Sequence, residues 1–173
     1  MSGETEVADV VDRAAGLAPG SALWHLRRER PEVVARTEAS HDAALTPADP
    51  GGISHAERAA LAARLARLNG DPALAAHYLK LLVTAGAGRG VRDFADPDSG
   101  SATTPRAAAI LRHVDLVTTS PKAATRDDIE KLTAAGLDTR DIVSLSGLIA
   151  FVNYQQRVVA GLRLLAERGV AEG

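Results

Sequence analysis

Alanine fills about a fifth of this 173-residue chain, whereas Phe, Trp and Tyr together make up 3%. Side chains that small let helices approach one another closely. A β-sandwich, by contrast, draws its core from β-branched and aromatic residues. The composition therefore predicts an all-α fold. Hydrophobic residues at 46% and charged residues at 24% are the balance of a soluble, globular chain rather than a disordered one. The length suits one domain, or two small subdomains about a shared core.

Capping and breaking residues divide the chain into helices. Residues 4–16 read as a short helix with Val7, Val10, Val11 and Leu17 on an incomplete stripe, broken at Ala18-Pro19-Gly20. Ser21 caps a second helix carrying Leu23, Trp24 and Leu26, and Pro31 opens a third that runs to about Ala44. Pro47 to Gly52 is the clearest loop and the expected boundary between a helical extension, 1–50, and a helical domain, 51–173, that forms a single compact unit. Ser54 and Glu57 have capping-box spacing ahead of Leu61, Leu65 and Leu68. Asn69-Gly70 ends that helix. Asp71 and Pro72 start the next, which carries Leu74, Tyr78, Leu81 and Leu82 and stops near Gly86, so residues 54–85 form a helical hairpin. Residues 86–102 are expected to be an exposed loop. Thr104-Pro105 starts a helix that Ser120-Pro121 stops, Thr125 with Asp128 starts a shorter one, and Asp138 with Asp141 opens a long last helix over about 139–167. The first half of that helix, Ile142 to Val152, is apolar nearly all round and is predicted to be buried, with Ser144, Ser146, Gly147 and Ala150 admitting a neighbouring helix.

Charge and sulfur content narrow the function. A net charge of −2 and a pI near 6.2 offer nothing to nucleic acid or an anionic membrane. No apolar run is long enough to span a bilayer, and MSGETEVADV lacks the basic and apolar regions of a signal peptide, so a cytoplasmic location is expected. The chain contains no cysteine, which removes disulfides, thiolate metal sites, cysteine nucleophiles and any dithiol redox cycle of its own.

Five histidines remain: His25, His41, His55, His77 and His113. None lies in a metal-binding pattern, and no metal or cofactor is expected. His25 and Glu29 read as a surface pair, and His55 as a solvated first-turn residue. His77, mid-helix beside Tyr78, is either a partly buried, hydrogen-bonded histidine or a base in a pocket. Glu57 is either a helix cap or a catalytic carboxylate. Asn153 and Arg157 share a face of the last helix, directly after its apolar stretch, where they line a pocket or mark the helix's emergence into water. Gly86, Gly88 and Gly90 lack the strand and the GK[ST] of a phosphate loop, and no G-x-S-x-G elbow is present.

The segment ISHAERAALAARLARLNGDPALAAHYLKLL, residues 53–82, resembles the core helical pair of the AhpD-like, or carboxymuconolactone decarboxylase (CMD), superfamily. Residues 106–158, from RAAAILRHVD through IAFVNYQQRV, are similar to the C-terminal half of its peroxidase-related branch. The resemblance covers roughly residues 53–165 and implies an AhpD-like helical bundle with a core hairpin and a long C-terminal helix, assembled as a homo-oligomer (dimer, trimer or hexamer). In redox-active members a Glu on the first hairpin helix and a C-x-x-C-x-x-x-H motif on the second reduce hydroperoxides. Glu57 and His77 match the Glu and the His approximately. The cysteine positions fall at Gly70 and Ala73 or, with Asn69 as the anchor and Tyr78 at the His position, at Asp71 and Leu74. Neither register contains sulfur.

Three readings follow. In the first, the chain is a cysteine-less, peroxidase-related protein that binds a small molecule or partners a cysteine-containing AhpD-like paralogue. In the second, it is a non-redox decarboxylase or isomerase with Glu57 and His77 as acid and base and with Asn69, Tyr78, Asn153 and Arg157 about the substrate. In the third, it is a structural oligomeric module.

Overall fold

The computed structural model describes residues 8–99, 102 and 104–169. Among them there is no strand, and the chain is all-α. Among the described residues nine helices follow one another: α1 (Val10–Ala15), α2 (Ala22–Arg28), α3 (Pro31–Leu45), α4 (His55–Leu68), α5 (Pro72–Thr84), α6 (Arg89–Arg92), α7 (Pro105–Thr119), α8 (Arg126–Ala134) and α9 (Thr139–Glu167). Tight turns at Asp93–Ala95 and Pro121–Ala123 complete the described chain.

The helix starts follow their caps. Ser21 accepts from the Trp24 N–H, Ser54 and Glu57 exchange reciprocal bonds, Asp71 accepts from Ala73 and Leu74 ahead of α5, and Asp138 accepts from Asp141 ahead of α9. Gly70 sits at φ 71°, the left-handed conformation that reverses the chain between α4 and α5 without a Cβ penalty. The first helix starts later than expected. Asp9 and Asp12 form a capping box there, and predicted positions 4–7 lie outside the described residues.

Helix α4 is the core. Ala59, Ala60, Leu61, Ala62, Ala63, Leu65 and Ala66 are each 2% exposed or less, because α3, α5, α7, α9 and the 93–95 turn surround them. This is where the alanine content is used: small side chains on every face of one helix let several others pack against it. Two arginines are buried with it. Arg58 donates to the carbonyls of Ile53, Ala44 and Pro50 at 2.9–3.0 Å, fastening the 50–53 loop and the end of α3 to α4. Arg64 grips Asp115 of α7 at 2.5 and 2.6 Å and donates to Asp96 O at 2.8 Å.

Two expectations need correction. Residues 86–102 are not simply an exposed loop: they hold α6 and a 3-10 turn, with Phe94 and Ala95 buried against α4. Arg64 and Arg67 supply the backbone partners that a Gly- and Asp-rich stretch lacks on its own. The first half of α9 is also not buried all round. Val143 is 66% exposed, and Ser146, Gly147 and Ala150 are exposed. Among the described residues none packs on Gly147, where a Cβ would meet nothing within 4 Å. No helix among the described residues is long and apolar enough to cross a membrane.

Helix α9 spans 29 residues, about 43 Å at ~1.5 Å per residue, and packs against α1, α2, α3, α4, α7 and α8. Arg163 near its end pairs with both Asp71 oxygens at 3.0 Å and donates to Ala14 O at 2.7 Å, tying α1 and α5 to it. Between α1 and α2, the buried Asp9 and Asp12 pair with Arg27 and Arg28, and the Arg28 guanidinium stacks 3.7 Å from the Trp24 ring centre.

Candidate functional site

The six residues singled out from the sequence lie in three places. Glu57 stays at the start of α4. Its carboxylate accepts from the Ser54 N–H at 2.9 Å and pairs with Arg106 of α7 at 2.6 Å. Arg106 also donates to Gly52 O, so this carboxylate joins two helix starts and a loop.

His77 and Tyr78 lie together on α5, facing α3 and α9. His77 Nε2 is 2.9 Å from His41 Nε2, and His41 Nδ1 is 3.0 Å from the Asp42 carboxylate. A carboxylate only accepts, so His41 carries its proton on Nδ1. Its bare Nε2 then accepts from His77 Nε2–H, which leaves His77 Nδ1 with the lone pair. Burial, with the neighbouring His41, Arg13 and Lys80, lowers His77 to about 4, and the ring is neutral at pH 7. Beside it, the buried Tyr78 hydroxyl donates to Gln155 Oε1 of α9, and burial raises the phenol above its ordinary range. The Asp42–His41–His77 chain has the connectivity of a proton relay. The cavity next to His41 and Gln155 has a volume of about 10 Å³, scarcely room for one water.

Asn69, Asn153 and Arg157 meet on the opposite side of α9. Asn69 Nδ2 donates to Asn153 Oδ1 at 3.3 Å, Asn153 Nδ2 to Ile149 O at 3.0 Å, and Arg157 Nη1 to Asn153 O at 2.9 Å. Asn153 and Arg157 line a cleft of about 570 Å³ between α7, α8 and α9. Its walls are largely apolar, with Val117, Ile129, Ile149 and Ala150, and its polar members also include Thr125, Ser146 and His113. The exposed face of α9 that the sequence reading buried is the floor of this cleft. Among the described residues no carboxylate pairs with Arg157. Its hydroxyls have committed their protons: Ser146 donates to Ile142 O at 2.8 Å, and Thr125 to Asp128 at 3.0 Å.

Sequence reasoning named His41 and His113 without giving either a role. No local signal links His41 to His77, 36 positions away, and only the packing of α3 on α4 and α9 makes that pair. His113 is 5% exposed, its Nδ1 is buried without a partner, and burial lowers its basicity. His55 is not simply solvated, since its Nε2 is 2.8 Å from Pro47 O. Glu57, His77 and the Asn153–Arg157 pair do not converge on one cavity: the α7–α8–α9 cleft takes only the last two. Among the described residues, no group of three or more His, Asp or Glu could hold a metal ion. No family model matches the chain, and no curated protein matches it.

Proposed function

We propose that this chain is a non-redox, small-molecule-binding protein of the AhpD-like/CMD type that holds a small organic anion in the cleft between α7, α8 and α9. One observation carries the reading: a guanidinium without an acidic partner, Arg157, stands on the rim of a cleft with an apolar floor. Apolar walls with a few placed polar groups are the ordinary make-up of a ligand pocket. A volume of about 570 Å³ is within the range of such sites. An arginine with spare N–H groups recognises carboxylate more strongly than any neutral donor does. The absence of cysteine supports the non-redox half of the proposal, because the resemblance to peroxidase-related proteins carries no thiol with it.

The test is a titration followed by amide chemical shifts, using hexanoate and the matching cation hexylammonium. Hexanoate is expected to bind and to shift residues of α7, α8 and α9. In Arg157→Gln, an exposed substitution, its affinity falls about tenfold, the worth of one charge-assisted hydrogen bond. Equal binding of the two probes, or shifts confined elsewhere, would overturn the assignment.

A further inference from the structure

His113 gives the cleft a second recognition element. The residue is 5% exposed, and Nδ1 has neither a hydrogen-bond partner nor access to water. Nε2 keeps access to solvent and has no hydrogen-bond partner among the described residues, so it is the nitrogen left open where the ring lines the cleft. A neutral imidazole carries one proton. Buried N–H groups without acceptors are rarer in native proteins than acceptors left short of a donor. The proton therefore belongs on Nε2, pointing to the cleft, and the lone pair on the buried Nδ1. Burial of the ring, which outweighs nearby Asp128 and acts with Arg112, keeps it uncharged.

The polar inventory of the cleft is then lopsided. Arg157 and His113 offer N–H donors, one charged and one neutral, and Asn153 has one amide N–H beyond that given to Ile149 O. The Ser146 and Thr125 hydroxyl protons are already in use, and among the described residues no carboxylate borders the cleft. Resting on the anion-binding reading above, we infer that His113 is fixed as the Nε2–H tautomer and donates to an uncharged acceptor oxygen on the ligand. The ligand class is a short apolar body with a carboxylate at one end, for Arg157, and a carbonyl or ether oxygen elsewhere, for His113.

Two measurements test this. Long-range ¹H–¹⁵N correlation of the imidazole rings at pH 7 is expected to give the Nε2–H pattern for His113, and an Nδ1–H or doubly protonated ring would overturn the tautomer and the inference with it. Titration with 5-oxohexanoate against hexanoate tests the ligand class. The oxo compound is expected to bind the native protein about fivefold more tightly, the return from one neutral hydrogen bond. His113→Phe is expected to abolish that preference, so that the two compounds bind the variant with equal affinity. His113→Gln, whose amide also carries an N–H, retains part of it and serves if the Phe variant fails to fold. Equal affinity of native protein for both compounds would overturn the ligand class alone. Failure of both to bind would overturn the anion-binding reading, and the ligand class with it.

Discussion

His41 and His77 face each other across α3 and α5 with their Nε2 atoms 2.9 Å apart, an arrangement that holds only while at least one of the two facing nitrogens is bare. His77 is lowered from 6.5 to about 4, so the folded state takes up fewer protons than the unfolded chain between those values. The stability from this site is complete above pH 6.5 and is lost as the pH falls towards about 4. The ring is partly open to water, which screens the effect. The loss by pH 4.5 is about 1–2 kcal/mol, roughly 3–6 °C in Tm. Thermal unfolding from pH 7.5 to 4.5 should fall more steeply for the native protein than for His77→Gln. Parallel curves would mean that this pair is not where the extra proton goes.

Arg58 is 3% exposed and satisfies three backbone carbonyls, two from the 50–53 loop and one from the end of α3. Arg58→Met keeps much of the volume but leaves those acceptors without donors, at ~1–3 kcal/mol for each one that water does not reach. The expected loss is about 3 kcal/mol by urea unfolding. Arg58→Lys recovers less than half of it, because one ammonium does not reproduce the planar fork. Recovery to native stability in Arg58→Lys would show that charge, not geometry, holds the loop.

The Gly52 N–H donates to Asp141 Oδ1 at 2.7 Å, so the carboxylate lies against the glycine backbone. A Cβ at Gly52 would come within 2.7 Å of Asp141 Cγ and closer still to Oδ2. Gly52→Ala therefore expels the carboxylate or moves the loop. Its expected cost is about 2 kcal/mol, comparable with overpacking elsewhere in protein cores. In an Asp141→Ala background the same substitution should cost under ~1 kcal/mol, because the clash is gone. Additive effects across this double-mutant cycle would place the strain elsewhere.

With no sulfur nucleophile, the isolated polypeptide should not consume tert-butyl hydroperoxide at the expense of dithiothreitol above the protein-free rate. A coupled peroxide assay on pure protein measures this directly. Turnover that scales with protein concentration would remove the non-redox reading.

Much of the helical order is legible in the sequence because its signals are local. The Ser54–Glu57 capping box, the Asp71-Pro72 start and the Asn69-Gly70 reversal each act within a few residues, and each is in place. The 86–102 segment was misread because the turn after α6 takes donors for its carbonyls from distant arginines of α4. The open face of α9 was misread because hydropathy records that Val143 and Ala150 are apolar, not that no helix covers them. Of the candidate site, Asn153 and Arg157 were visible as a pair on one helix face. His113 was not, since its significance lies in a nitrogen that the tertiary packing leaves without a partner.

Gln155 and Phe151 of α9 meet the Tyr78 and His41 side of the molecule, whereas Asn153 and Arg157, on the opposite surface of the same helix, border the cleft. Successive residues are about 100° apart, so a small roll of this one rod would displace both neighbourhoods at once and in opposite senses.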